Sequence, residues 1–415
     1  MRIVHILREE KNYARLFYAG LVNGIGDRFS QVALLSLLLY LTGSGMAVGI
    51  AMALRLVPFL FFGPLGGFLA DRYSRRTILM TADFFRIVFA VSFVFIDSAS
   101  MIWLAYVSSF FLAAGEAIYA PARRSSIPFL VKSENLQAVN GLEQVMLGAV
   151  LIAGSVSGGI VTFFFGPDVT FWLNGFSFLA AACLLYQLPA KYGAEKEEGG
   201  QNRSFIGSIK TVKQVVSASA ILFIIFLFEL TVPVFNGIDN VLISVYAVQE
   251  FRLGDMGVGL FYGSLGTGLV LSFLVSPRIK SRFLQIGIFT LFLEGIFLIL
   301  LSTASIPAAA SLLFVLMAFV SGIGNACFDS LIMKESPKHH QGMIFGFLST
   351  MSNTLMGLSM LGAGILLEWI PNRVMGMLGG AGFVMIGCML MVFYLLRKNK
   401  GDMRKNTVLS MDKKG

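Results

Sequence analysis

Twelve runs of predominantly apolar residues dominate this chain, each close to the roughly 20 residues that a helix needs to cross a bilayer. They fall at 13–41, 46–70, 77–97, 101–120, 137–165, 169–189, 219–247, 256–276, 283–303, 306–329, 342–368 and 374–396. Several connections, such as those after the first, third, fifth, ninth and eleventh runs, are very short, which makes the joined helices antiparallel neighbours. With 56% hydrophobic and only 13% charged residues, a soluble fold would have to bury more apolar surface than one core holds. The bilayer is the solvent that such a composition fits. The segment Met1–Asn12 is charged and the first apolar run is too long for a signal h-region, so no cleavable signal is expected.

Basic residues set the expected orientation. Arg2, Arg8 and Lys11, then Arg72, Arg75 and Arg76, then Arg123, Arg124 and Lys132 share one side with Arg278, Lys280, Arg282 and the Lys/Arg-rich C-terminus. The opposite side holds Arg252 and Arg373. The positive-inside rule then puts both termini in the cytoplasm of a cell whose plasma membrane the chain spans. The net charge of +9 is read as this orientation signal, in touch with anionic membrane lipids, and not as a nucleic-acid face.

One polar break divides the chain. Residues 1–190 form an N-terminal six-helix bundle and 217–397 a C-terminal one, with a cytoplasmic linker at 191–216 and a basic, unstructured cytoplasmic tail at 398–415. Gly193–Asn202 reads as a flexible stretch. After it, Phe205, Ile206, Ile209, Val212 and Val216, interleaved with Lys210 and Lys213, read as an amphipathic helix on the membrane surface. A constant shift along the sequence carries Gly115 onto Gly324, Pro128 onto Pro337, Asp27 onto Asn236, Gln31 onto Asn240 and Gly45 onto Gly254. Internal symmetry between six-helix halves is a transporter signature. The expected fold class is therefore all-α integral membrane, with twelve transmembrane helices in two pseudo-symmetric six-helix bundles.

Between the second and third runs, Gly63 and Gly67 share one helix face and admit a close neighbour. They lead into Asp71, Arg72, Arg75 and Arg76. The pattern Gly67-x-Leu69-Ala70-Asp71-Arg72-x-Ser74-Arg75-Arg76 resembles the signature loop of the major facilitator superfamily, with Ser74 where a second glycine is usual. Gly141, Gly154, Ser155, Gly158 and Gly159 resemble that family's antiporter motif, with Ser155 replacing its proline. The stretch Ile127-Pro128-Phe129-Leu130-Val131, with Leu136 and Asn140, resembles the branch of macrolide-efflux and siderophore-export proteins. The resemblance implies two bundles working by alternating access, usually driven by protons. It also implies that Asp71 meets the start of the eleventh helix, whose positive dipole end attracts it. There are two departures. The arginine typical of proton-coupled members would fall near Phe111, and the second-half loop Arg278–Arg282 lacks an aspartate.

An ionisable side chain within the membrane is expensive and is a functional candidate by default. Asn23, Asp27 and Gln31 lie on one helix face, and Asn236 and Asn240 form the matching stripe in the second half, with Glu229 two turns away. Asp27 is the first candidate for a proton-binding carboxylate, because desolvation favours the neutral form. Arg55 is its expected partner, and a permanent ion pair that only orients helices is the plainer alternative. Glu116 and Glu229 are further candidates for proton coupling or the substrate cavity, and Glu294 is a weaker one. Asp83 and Arg86 are expected to join the gating loop of Gly67, Asp71, Arg72, Arg75 and Arg76. Gly154, Gly158 and Gly159 mark either a flexing point or close packing. Cys183, Cys327 and Cys388 read as small packing residues.

His5, His339 and His340 fall outside the apolar runs, so no metal site is expected, and no cofactor either. No Gly-x-Ser-x-Gly elbow or Gly-Lys-Ser/Thr phosphate loop occurs, which argues against an enzyme or an ATP-driven pump. The expected function is a monomeric secondary active transporter that exports amphipathic, drug- or macrolide-like molecules by proton antiport. Its expected partners are a small-molecule substrate, protons and membrane lipids. The alternative is an importer or exporter of another small metabolite, such as a nutrient, siderophore or lipid, on the same fold.

Overall fold

A computed structural model describes residues 2–42, 47, 50, 51, 54–189, 219–337 and 340–412. The linker expected at 191–216, Gly45, His339 and the last three residues of the tail lie outside the described residues. Within them the chain is helical, without strands. A short helix α1 (Arg2–Glu9) precedes α2 (Lys11–Thr42), α3 (Val57–Arg72), α4 (Arg75–Ser92), α5 (Ile102–Leu130), α6 (Leu136–Ala149) and α7 (Ser155–Tyr186). The second half holds α8 (Ala220–Val245), α9 (Gly254–Ser272), α10 (Phe283–Thr303), α11 (Pro307–Glu335), α12 (Gln341–Leu366) and α13 (Asn372–Asp412). Among the described residues, ten helical segments are long and apolar enough to cross a membrane, by length and composition.

Several expectations change. The fourth segment does not stop near residue 120 but runs to Leu130, through Pro121 and Pro128. Proline removes a backbone donor, yet inside a membrane protein neighbouring groups can take up the freed carbonyls. The carbonyls that Pro121 and Pro128 leave without a helical donor are those of Ala117 and Arg124. Between the two prolines the hydroxyls of Ser125 and Ser126 donate to the Ala122 carbonyl at 3.2 and 2.7 Å. The fifth segment is α6 continued by a π-helical turn, Val150–Gly154, into α7. The break before the sixth segment is Gly166, at φ 81° and ψ 169°, followed by Pro167. The last helix continues to Asp412, so the basic tail extends α13 instead of leaving the helix at Arg397. Its Met, Arg, Lys and Leu residues are good helix formers.

The helix pairing repeats between halves. In the first half α3 and α4 pack on α5, and α2 and α4 pack on α7. In the second half α9 and α10 pack on α11, and α8 and α10 pack on α13. The halves meet through two related pairs, α3 with α12 and α6 with α9. Glycine makes these seams possible. A Cβ on Gly342 would lie 2.6 Å from the Gly67 carbonyl oxygen, and one on Gly346 would lie 2.5 Å from that of Gly63. Likewise, a Cβ on Gly148 of α6 would lie 2.5 Å from the carbonyl oxygen of Gly266 of α9. Without lipid-excluded hydrophobic gain, helices in a bilayer associate through such close backbone approach.

The outward surface carries Phe61, Phe164, Phe165, Met385 and Trp369, all exposed, as suits a wall facing acyl chains. Cys183 and Cys388 belong to this exposed surface and not to the packing, whereas Cys327 is buried.

Candidate functional site

Arg86 organises the interior of the first half. It is 1% exposed and extends from α4, where its stem passes Gly115 of α5. A Cβ at that glycine would lie 2.5 Å from Arg86 Cγ. Its Nη2 donates to Asp27 Oδ2 of α2 at 2.7 Å, and its Nη1 donates to Asn23 Oδ1 at 3.1 Å. Glu116 Oε2 lies 2.9 Å from Nη1, and Asp83 Oδ1 lies 3.9 Å from it. The Asn23 amide turns its NH2 to Asp83 Oδ1 at 2.8 Å, so one amide links base and acid. The guanidinium stands over the Phe178 ring at 4.2 Å, an attractive face for a cation.

This arrangement corrects two expectations. The principal partner of Asp27 is Arg86, while Arg55 Nη2 is 3.7 Å from Asp27 Oδ2. Asp83 and Arg86 do not join the gating arginines; they face inward to Asn23 and Asp27. At the position of the expected fourth-segment arginine, Phe111 stacks on Phe89 with centroids 4.7 Å apart. The buried guanidinium comes from the third segment instead. Three carboxylates therefore surround one fully buried arginine and a second, more exposed one.

The two stripes fare differently. Asn23 and Asp27 meet at Arg86, but Gln31 accepts from Arg28 Nη1 at 3.0 Å. In the second half Asn240 Nδ2 donates to the Asn236 carbonyl at 2.9 Å. Asn236 lines a small cavity with Thr290, Glu294, Ser321 and Asn325. Glu229 stands apart from this stripe, hydrogen-bonded to Ser352 and near Arg124 and Asp329. Glu294 is buried and hydrogen-bonded to Ser321. Two buried groups went unnoticed in the sequence. Asp239 is next to Asn240 but is turned inward and buried. Glu143 takes a two-pronged contact from Arg123 and a 2.7 Å hydrogen bond from the Tyr13 hydroxyl. An acid inside an apolar run is the signal that could have found both.

The loop carries a clamp between halves. Asp71 Oδ1 and Oδ2 accept from the backbone N–H groups of Gly342 and Met343, each at 2.8 Å. These are unpaired donors of the first turn of α12, at the positive end of its dipole. Arg75 Nη2 is 3.5 Å from Asp71 Oδ1, and its Nε donates to Ser125 Oγ at 3.0 Å. Arg76 donates to the Leu188 carbonyl at 3.1 Å and lies over Tyr186. Arg72 is exposed, over the edge of Tyr73. On the related seam, Asn140 of α6 donates to Ser330 Oγ of α11 at 2.9 Å, and Gln137 donates to Cys327 Sγ at 3.6 Å. The halves are thus tied together at the end that carries the arginine cluster. Gly154 and Gly158 pack tightly on α2, against Arg28 and Phe29, beside the π-helical turn. Among the described residues no group of three or more His, Cys, Asp or Glu is placed to hold a metal ion.

Comparisons with known proteins agree with this architecture. YfiS of Bacillus subtilis, described as an uncharacterized MFS-type transporter, is 23% identical over 95% of this chain and 98% of its own length. The multidrug efflux pump Tap of Mycobacterium tuberculosis is 21% identical over 85% of this chain and 86% of its own. Macrolide efflux protein A of Streptococcus pyogenes is 32% identical, over 30% of this chain and 31% of its own. Among solved structures, the human organic anion transporter MFSD10 superposes with a TM-score of 0.79 at 14% identity, covering 92% of this chain and 99% of that one. A bacterial homologue of the iron transporter ferroportin, in an outward-facing state, gives 0.73 at 18% identity over 92% and 99%. The sequence profile of the Major Facilitator Superfamily matches residues 16–360. With a match of that length on two halves that repeat one pairing scheme, the chain belongs to the major facilitator superfamily of membrane transporters.

Proposed function

We propose that this chain exports amphipathic small molecules, of the kind that includes macrolides and lipophilic cations, by alternating access with proton antiport. The observation that carries the reading is the cluster around Arg86. Asp27, Asp83 and Glu116 bring three formal negative charges against the positive charges of Arg86 and Arg55. Arg28 also acts on Asp27, so a proton or a cationic cargo at Asp27 competes with fixed arginines. Asp27 and Glu116, 18% and 37% exposed, are within reach of exchange whereas Asp83 is fully buried, and Asp27, which also faces Arg55, is taken as the exchanging group. Competition between proton and cargo for one carboxylate is a minimal antiport device.

The clamp supplies the alternation. With the arginine-rich end on the cytoplasmic side, as the basic residues favour, Asp71 on the first turn of α12 holds that side shut while the far side is open. Releasing its two backbone hydrogen bonds lets α3 and α12 part. The outward-facing form of the ferroportin homologue and the efflux names of Tap and macrolide efflux protein A support this direction of reading.

The test is transport. In cells stripped of their own efflux pumps, expression lowers accumulation of a lipophilic cation or a macrolide, and an uncoupler abolishes the effect. Asp27→Asn leaves protein in the membrane but ends uphill export. Undiminished uphill export by that variant would rule out the proton assignment, and normal accumulation across a broad panel would rule out drug export.

A further inference from the structure

The second half contains a charge-inverted counterpart of the Arg86 cluster. The shift that carries Gly115 onto Gly324 also carries Asp27 onto Asn236, Glu116 onto Asn325 and Arg86 onto Gly295. Both acids have become neutral amides and the arginine has gone. The two amides still line one space. It lies between α8, α10 and α11, walled by Asn236, Thr290, Glu294, Ser321 and Asn325, and leaves room for a single water-sized occupant.

Every polar wall group offers oxygen. Glu294, 7% exposed, is the formal negative charge on the wall, and the Ser321 hydroxyl hydrogen-bonds to it. Thr290 Oγ1 donates to the Gly287 carbonyl at 2.9 Å, which leaves its lone pairs free to face a cation. Gly324 keeps the space open, because a Cβ there would lie 2.5 Å from Thr290 Oγ1. Asp239, also buried, lies near enough for its charge to act on Glu294. Among the described residues no Lys or Arg forms an ion pair with Glu294. A carboxylate with neutral amide and hydroxyl oxygens is the donor set of a hard cation. One wall charge in so small a space selects a bare monovalent ion over an organic ammonium.

We propose that this cavity is a sodium-ion site in the second half, in which the ion takes the place that the guanidinium of Arg86 fills in the first. The site is separate from the Asp27 cluster and does not depend on which cargo is exported.

Binding of radiolabelled sodium to the purified full-length protein, with choline replacing sodium in the control, tests it without any cargo. Wild-type protein binds sodium saturably. Glu294→Gln weakens binding by about tenfold or more, the loss expected when a site is stripped of an anionic ligand, and Asn325→Ala weakens it in the same direction. Absence of saturable binding by folded wild-type protein overturns the proposal, as does wild-type binding by both Glu294→Gln and Asn325→Ala. If Glu294→Gln fails to fold, Asn325→Ala decides. Failure of sodium to bind leaves the export reading standing, and failure of export in cells leaves the sodium site standing.

Discussion

The two halves of this transporter share a helix scheme but handle buried charge in opposite ways. The first half gathers Asp27, Asp83 and Glu116 around Arg86, so each acid has a protein cation beside it. The second half buries Asp239 and Glu294, and the neighbours of Glu294 are amides, hydroxyls and phenylalanine rings. A buried ion pair is costly to break but neutral to its surroundings when whole, whereas an acid without a base must take up a proton or an ion. The contrast teaches that pseudo-symmetry in the backbone does not extend to the electrostatics. In the first bundle the acids face arginines, and in the second Glu294 faces amides and hydroxyls.

The largest expected effect comes from Arg86. Arg86→Leu strands three carboxylates around an apolar side chain, at about 3–5 kcal/mol, the range for removing one partner of a buried pair. The thermal midpoint of the purified protein reads it directly. Glu294→Gln keeps the shape and removes only an uncompensated charge, so it moves the midpoint far less or raises it. Equal losses from the two substitutions would break the contrast between the halves.

Next in size is the clamp. Asp71→Asn removes the charge that two backbone N–H groups share, and hydrogen bonds to a charged group are worth about 1.5–3 kcal/mol each. The expected result is a looser seam at the arginine-rich end. Cys327, buried and contacted by Gln137 across the related seam, reports it. In a background where the exposed Cys183 and Cys388 are serine, Asp71→Asn speeds alkylation of Cys327, and an unchanged rate would show that Asp71 does not hold the halves together.

How much of this was readable in the sequence depends on the range over which each feature is decided. The meeting of Asp71 with the start of α12 was implied by the loop's resemblance to the family signature, whose residues lie side by side in the sequence. The close approach at Gly63 and Gly67 followed from their spacing on one face. The partner of Asp27 did not follow. Arg55 lies in the turn before α3 and Arg86 on α4, and choosing between them requires the rotation of α4 about its axis, which is set by Gly115 and Phe178 from two other helices. The extension of α5 past Pro121 escaped for a similar reason. A local rule ends helices before proline, but in a bilayer packing against neighbouring helices lets a helix run through one. Asp239 was hidden by its neighbour, since the stripe of Asn236 and Asn240 drew notice to a different face.

Gly166 offers a smaller test, which separates backbone conformation from charge. At φ 81° and ψ 169°, with nothing within 4 Å of a Cβ placed there, Gly166→Ala meets no steric obstacle beyond its own backbone. The cost is about 1–3 kcal/mol for holding a non-glycine residue in that region, read again as the thermal midpoint. Both halves of the charge contrast should survive, with sodium binding and export unaltered in whatever protein remains folded.

The smallest effect is expected at Arg55, and it sharpens the comparison most. Arg55 shares Asp27 with Arg86, but at 3.7 Å against 2.7 Å, and its side chain is 23% exposed against 1%. Both side chains are partly exposed, and a pair at that distance holds a long side chain still for little return, about 0–1 kcal/mol when it lies near the surface. Arg55→Gln should therefore leave the thermal midpoint within a degree or two, while Arg86→Leu lowers it steeply. The more exposed of the two arginines is the one that a cationic cargo can replace without disturbing the fold. If Arg55→Gln instead destabilises the protein as much as Arg86→Leu, Asp27 is held by two equal partners, and the first half has no charge left to exchange.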